Sequence, residues 1–142
     1  MGRRIGIDVG AVRVGVALSD PDGLLATPLE TVPRDRDGGS DVRTVAALVA
    51  EHEATGVVVG LPRTLAGQEG PAATAAREFG GALAAALDVP VEYADERLTT
   101  VVATRQLRAS GRPGRRQRAV VDQVAAVGIL QGWLDRHRSG EV

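Results

Sequence analysis

Between Glu96 and Asp122 the chain carries no acidic residue, yet it places Arg97, Arg105, Arg108, Arg112, Arg115, Arg116 and Arg118 there. Guanidinium groups present a fixed fork of donors that matches phosphate, and clustered positive charge attracts a polyanion over several ångströms. The formal net charge of the whole chain is only -1, so this clustering is local. Carboxylates that bound such a stretch repel phosphate unless a metal cation stands between them. The pattern therefore points to metal-dependent chemistry on nucleic acid.

Three acidic positions stand out. Asp8 falls in the middle of a strand pattern, where aspartate is depleted. Its face is bare of bulk: Gly6 and Gly10 flank it, and a paired second strand would add Gly15 and Ala17. Such a face admits a closely packed helix, a metal ion with a phosphate, or both. Asp122 sits on the apolar stripe of a helix, because at ~100° per residue Ala126, Ile129 and Trp133 share its side. A buried carboxylate is paired, hydrogen-bonded or bound to a cation. The candidates for Asp122 are a metal ion or an arginine such as Arg118, four residues earlier. Asp95 and Glu96 close a short strand, at the carboxyl end where open α/β sheets gather their sites. Adjacent positions point oppositely, so one faces the core; spacing alone does not choose between them. Carboxylates from a strand, a strand end and a helix suit one or two Mg²⁺ or Mn²⁺ ions, which prefer oxygen donors. Cysteine is absent, and His52 and His137 fall on helix surfaces, so a zinc site is not expected.

The elements that must hold these residues follow from periodicity. Residues 3–9 and 13–19 alternate with a period of two and are joined by a short link, which predicts an antiparallel hairpin. A third strand is expected over 27–32. Ser40 is expected to cap a helix over 41–54 with Val42, Val45, Leu48 and Val49 as its apolar stripe. Val57 to Gly60 reads as a buried strand, and Pro71 as the first turn of a second helix bearing Ala72, Ala76, Phe79, Leu83 and Leu87. A fifth strand over 91–94, a helix over 100–109 and a closing helix over 118–138 complete the chain. Three strands followed by alternating strand and helix imply an α/β fold with a mixed sheet.

Composition narrows the function. At 142 residues the chain is expected to form a single domain, 1–142. No apolar run approaches the ~18 residues that cross a bilayer, and the start of the chain lacks a signal-peptide pattern. With no cysteine, a cytoplasmic protein without membrane attachment is the expectation. All 17 basic residues are arginine, as codon bias in a GC-rich genome would give, but bias does not explain the cluster. Phe79, Tyr93 and Trp133 are the whole aromatic complement. Recognition by base stacking is therefore poorly supplied, and backbone charge must carry nucleic-acid binding.

Several segments together carry a resemblance: RIGIDVGAVRVGVALSD at the start, VVVGLP at 57–62, GQEGP at 67–71, DERLTT at 95–100 and VVDQVAAVGILQGWL at 120–134. In this order they are similar to the YqgF/RuvX family, described as pre-16S ribosomal RNA nucleases and as Holliday-junction-resolvase-like proteins. The resemblance implies an RNase H-like fold with a five-stranded mixed sheet and helices on both faces. It also implies that Asp8, Glu96 and Asp122 form the acidic cluster, with Mg²⁺ or Mn²⁺ as cofactor. Asp95, Gly6, Gly10 and Gly15 are then supporting positions. Arg115, Arg116 and Arg118 stand where family members typically carry lysines, and with Arg97 they are expected to hold the nucleic acid. The expected function is processing of the 5′ end of precursor 16S ribosomal RNA, by a monomer or a homodimer acting on structured RNA. The alternatives are resolution of branched DNA, or nucleic-acid binding without catalysis. An actin-like ATPase would need two lobes, for which the chain is too short.

Overall fold

A computed structural model describes residues 2–64, 66–96 and 115–138, with side chains from 122 onward in the last of these segments. The predicted helix over 100–109 and the side chains of Arg97, Arg105, Arg108, Arg112, Arg115, Arg116 and Arg118 lie outside the described residues.

Five strands form one sheet: β1 (Arg4–Val9), β2 (Arg13–Ser19), β3 (Ala26–Pro33), β4 (Gly56–Leu61) and β5 (Val91–Asp95). Their spatial order is β3-β2-β1-β4-β5. The predicted hairpin is present, with Ile5 opposite Leu18 and Asp8 opposite Gly15. β3 adds antiparallel to β2, whereas β4 and β5 add in parallel on the other side of β1. Parallel neighbours require crossovers, which helices α1 (Ser40–Glu51) and α2 (Pro71–Ala86) supply. Helix α3 (Arg115–Arg138) closes the described chain.

The two sheet faces are built differently. Ile5, Ile7, Val9, Val14, Val16, Leu18, Val57, Val59 and Leu61 meet Val45, Leu48 and Val49 of α1 and Ala73, Ala76, Phe79 and Leu83 of α2 in one core. The opposite face offers Ala17, Val58 and Ala94 to Ala125, Ala126, Ile129, Leu130, Trp133 and Leu134 of α3. Small residues on that second face let α3 lie directly on the backbone. A Cβ added at Gly6 would come within 2.6 Å of the Leu130 Cβ, and one at Gly15 would overlap the Asp122 carbonyl.

Two local expectations need correction. Ser40 does not cap α1; it is the first helical residue, and the preceding Gly39 is left-handed at φ 73°. Asp35 does the capping, with its Oδ2 accepting from the Ser40 backbone N–H at 3.0 Å and the Ser40 hydroxyl at 2.6 Å. In α2 Ala73 and Ala76 are buried, while Ala72 is exposed. Ala76, Phe79 and Leu83 keep the expected face, and the helix adds Ala73, three residues before Ala76, in place of Ala72, four before it.

Candidate active site

Asp8, Glu96 and Asp122 all reach the α3 face of the sheet, and all are buried at 0%, 3% and 3% exposure. Asp8 pairs with Gly15 in β2, and the Asp122 backbone carbonyl rests on Gly15. On the other side, Ile7 pairs with Val59, so Asp8 runs beside Gly60. The Glu96 Oε1 lies 2.9 Å from where a Cβ of Gly60 would stand. Three carboxylates thus sit in a row across one end of the sheet, separated by two glycines. Strands are ~4.8 Å apart, so a single strand spacing separates Asp8 from each glycine. Gly6 lies on the same face under Leu130, and Gly10 begins the turn into β2 by donating its N–H to the Arg13 carbonyl at 2.9 Å.

The choice between Asp95 and Glu96 is made by register. Leu61 pairs with Asp95, which turns Asp95 to the α1–α2 side and leaves Glu96 on the face of Gly60 and Ala94. Asp95 lies 3.9 Å from the Arg63 Nε. Arg63 also approaches Glu69, which receives two hydrogen bonds of 2.7 Å from Arg77. Asp95 therefore anchors the loop that follows β4. Hydrogen bonding from Arg77 holds the Glu69 carboxyl below its ordinary pKa.

Among the described side chains, Arg13 is an arginine beside Asp122; Arg118, one of the candidate partners, lies outside them. The Arg13 Nε donates to Asp122 Oδ2 at 2.8 Å, joining the first residue of β2 to the closing helix. The Asp122 side chain is 4% exposed and that of Arg13 23%. Sequence reasoning passes over Arg13 although its alternation is visible: positions 13, 15 and 17 share a face, and that face is the one carrying Asp8. Arg13 and Asp122 line a cleft of about 180 Å³ with Gly10, Ala11 and Val12.

By donor type, three buried carboxylates fit a hard divalent cation. Their present arrangement is not converged: among the described residues, no set of three His, Cys, Asp or Glu side chains is grouped to hold a metal ion. The Arg13–Asp122 hydrogen bond gives one physical reason, since it engages one Asp122 oxygen. The aromatic residues, meanwhile, are occupied. Trp133 and Phe79 are buried, and Arg4, Arg34 and Arg77 lie over Trp133, Phe79 and Tyr93 respectively.

A five-stranded mixed sheet with an antiparallel start, helices on both faces and this end-of-sheet placement is an RNase H-like fold. The structure of Thermus thermophilus RuvC in complex with a Holliday junction substrate shares it, with a TM-score of 0.62 over 99% of this chain and 98% of that one at 18% identity. The family model described as "RuvX: Holliday junction resolvase" matches residues 2–136. Proteins from Rhodococcus opacus (61% identical, 97% of this chain and 80% of that one) and Mycobacterium sp. strain KMS (63% identical, 97% and 82%) are each named "Putative pre-16S rRNA nuclease". The chain belongs to the RuvX family.

Proposed function

We propose that this protein, acting as a single nuclease domain in the cytoplasm, hydrolyses a phosphodiester bond of precursor 16S ribosomal RNA. Asp8, Glu96 and Asp122 are its catalytic carboxylates. The observation that carries this reading is the row of three buried acids across a sheet end where glycines leave backbone in place of side chains. The names of the relatives support the RNA substrate.

Asp8, Glu96 and Asp122 would hold Mg²⁺ or Mn²⁺, and such an ion, when bound, supplies Lewis-acid charge to the phosphoryl oxygens. The chain's own residues do the rest. Gly6, Gly10 and Gly15 keep the face low, α3 shields it from bulk water on one side, and Asp95 fixes the neighbouring loop through Arg63. Arg97, Arg115, Arg116 and Arg118 bind flanking phosphates, where guanidinium forks give geometry as well as charge.

Purified protein with Mg²⁺ or Mn²⁺, offered precursor 16S ribosomal RNA and a four-way DNA junction side by side, tests the reading. Cleavage of the RNA that is abolished in Asp8→Asn, with RNA binding retained, is the expected result. Symmetric cutting of the junction with intact RNA would establish the resolvase alternative, which needs a homodimer for its two cuts. Binding without metal-dependent cleavage of either would reduce the protein to a binding module.

A further inference from the structure

We propose that Arg13 is a substrate-binding residue: one edge of its guanidinium is pinned to Asp122 while the other receives a phosphate of the bound strand in the cleft beside the β1–β2 turn. The inference rests on the nuclease reading and adds a phosphate subsite to it.

Three observations and one energetic argument converge. Arg13 Nε is committed to Asp122 Oδ2 at 2.8 Å, but its Nη1 and Nη2 groups donate to no residue among those described. Its side chain is 23% exposed, so these donors are held in place without being sealed off. A guanidinium fixed by one edge has already lost most of its rotamer freedom, so a second ligand binds it at a small further entropic cost. Among the described residues, the cleft that Arg13 lines with Asp122 has Gly10, Ala11 and Val12 as its other walls, none of them a carboxylate. A sugar-phosphate strand can approach such low walls closely.

The position explains why the subsite would matter. Gly10 lies two residues beyond Asp8, and Arg13 returns on the neighbouring strand on the same face. A phosphate on Arg13 would stand next to the carboxylate row, not out on the arginine-rich segment before α3. Arg13 thus ties the strand's position to that of Asp122: a single side chain touches both the catalytic acid and the substrate. Lysine cannot reproduce this, because a single ammonium lacks two separate donor edges.

The test measures binding of a single-stranded precursor RNA fragment by fluorescence anisotropy over a KCl series, in Asp8→Asn protein so that the RNA stays intact. Adding Arg13→Gln keeps a donor for Asp122 but removes the charge. The slope of log K against log[salt] is expected to flatten by ~0.7, the value for one single-strand phosphate no longer neutralised. An unchanged slope and affinity, with a lowered melting temperature, would make Arg13 only a structural partner of Asp122 and overturn the proposal. Should Arg13→Gln not fold, Arg13→Lys carries the test: the slope holds while affinity falls several-fold, whereas unaltered affinity overturns it. RNA cleavage by Asp8→Asn itself would instead count against the nuclease reading, independently of what the salt series shows for Arg13.

Discussion

Asp122 carries two opposing demands. As a buried acid it is held by Arg13, and in the proposed site it must also serve as a catalytic carboxylate. Replacement by asparagine removes the charge yet keeps an oxygen for the Arg13 Nε. We expect Asp122→Asn to lose hydrolysis by several orders of magnitude while unfolding free energy changes by about 1 kcal/mol or less. Urea denaturation checks this: a loss above ~3 kcal/mol would mark the Arg13–Asp122 pair as a structural bond that merely sits near the site. Asp35 makes a different prediction. The Ser40 hydroxyl first, then the Gly38 and Ser40 N–H groups, lower its pKa to about 2. A depressed carboxyl pKa contributes stability that is complete above the ordinary value of 3.8 and is lost as pH falls through about 2. The acid limb of a stability–pH curve should therefore be shallower in Asp35→Ala between pH 4 and 2 (an interval bounded, roughly, by the two pKa values). Identical limbs would show that the cap contributes nothing.

Among the secondary-structure elements, the close seating of α3 on the hairpin fixes where Asp122 stands. Gly15→Ala places a methyl group into the Asp122 carbonyl, and backbone cannot rotate aside as a flexible side chain would. A cost of about 1–3 kcal/mol is expected, with activity falling as Asp122 is displaced. An unchanged urea midpoint together with full activity would mean that the helix is not seated there. This close packing also explains what the sequence disclosed. Alternation in residues 3–9 and 13–19 gave the hairpin and the bare face of Asp8, because period two directly fixes which side chains share a face. The stripe of Asp122, Ala126, Ile129 and Trp133 gave the inner side of α3 for the same reason. The choice of Glu96 over Asp95 was not legible from spacing, since it depends on β4–β5 register, and only the family resemblance indicated it. The Arg13 partnership was hidden too, because it joins positions 109 apart in the chain. Capping by Asp35 was masked by Ser40, an equally good cap by residue type.

For the whole molecule, the decisive property is the separation of two charge regimes in a chain of net charge -1. Acidic groups lie buried across the sheet end, and seven arginines crowd the segment from 97 to 118. If about four to six phosphates are neutralised, log K for nucleic acid should fall against log[salt] with a slope of roughly -3 to -5. A flat response would remove the arginine segment from the binding surface. Trp133 and Phe79 cannot substitute for it, because they are buried in the two cores. Backbone recognition of this kind predicts weak sequence preference, and Arg115→Ala with Arg116→Ala should weaken binding alike across sequences.

Asp8, Glu96 and Asp122 are proposed to act together on a divalent ion, and Mn²⁺ binding tests this without reference to any substrate. Titration calorimetry of the wild-type protein should show a Mn²⁺ site that Asp8→Asn and Glu96→Gln each weaken by at least about tenfold, a change of ~1.4 kcal/mol. Mn²⁺ affinity unaltered by both substitutions, in proteins that remain folded, would contradict the account.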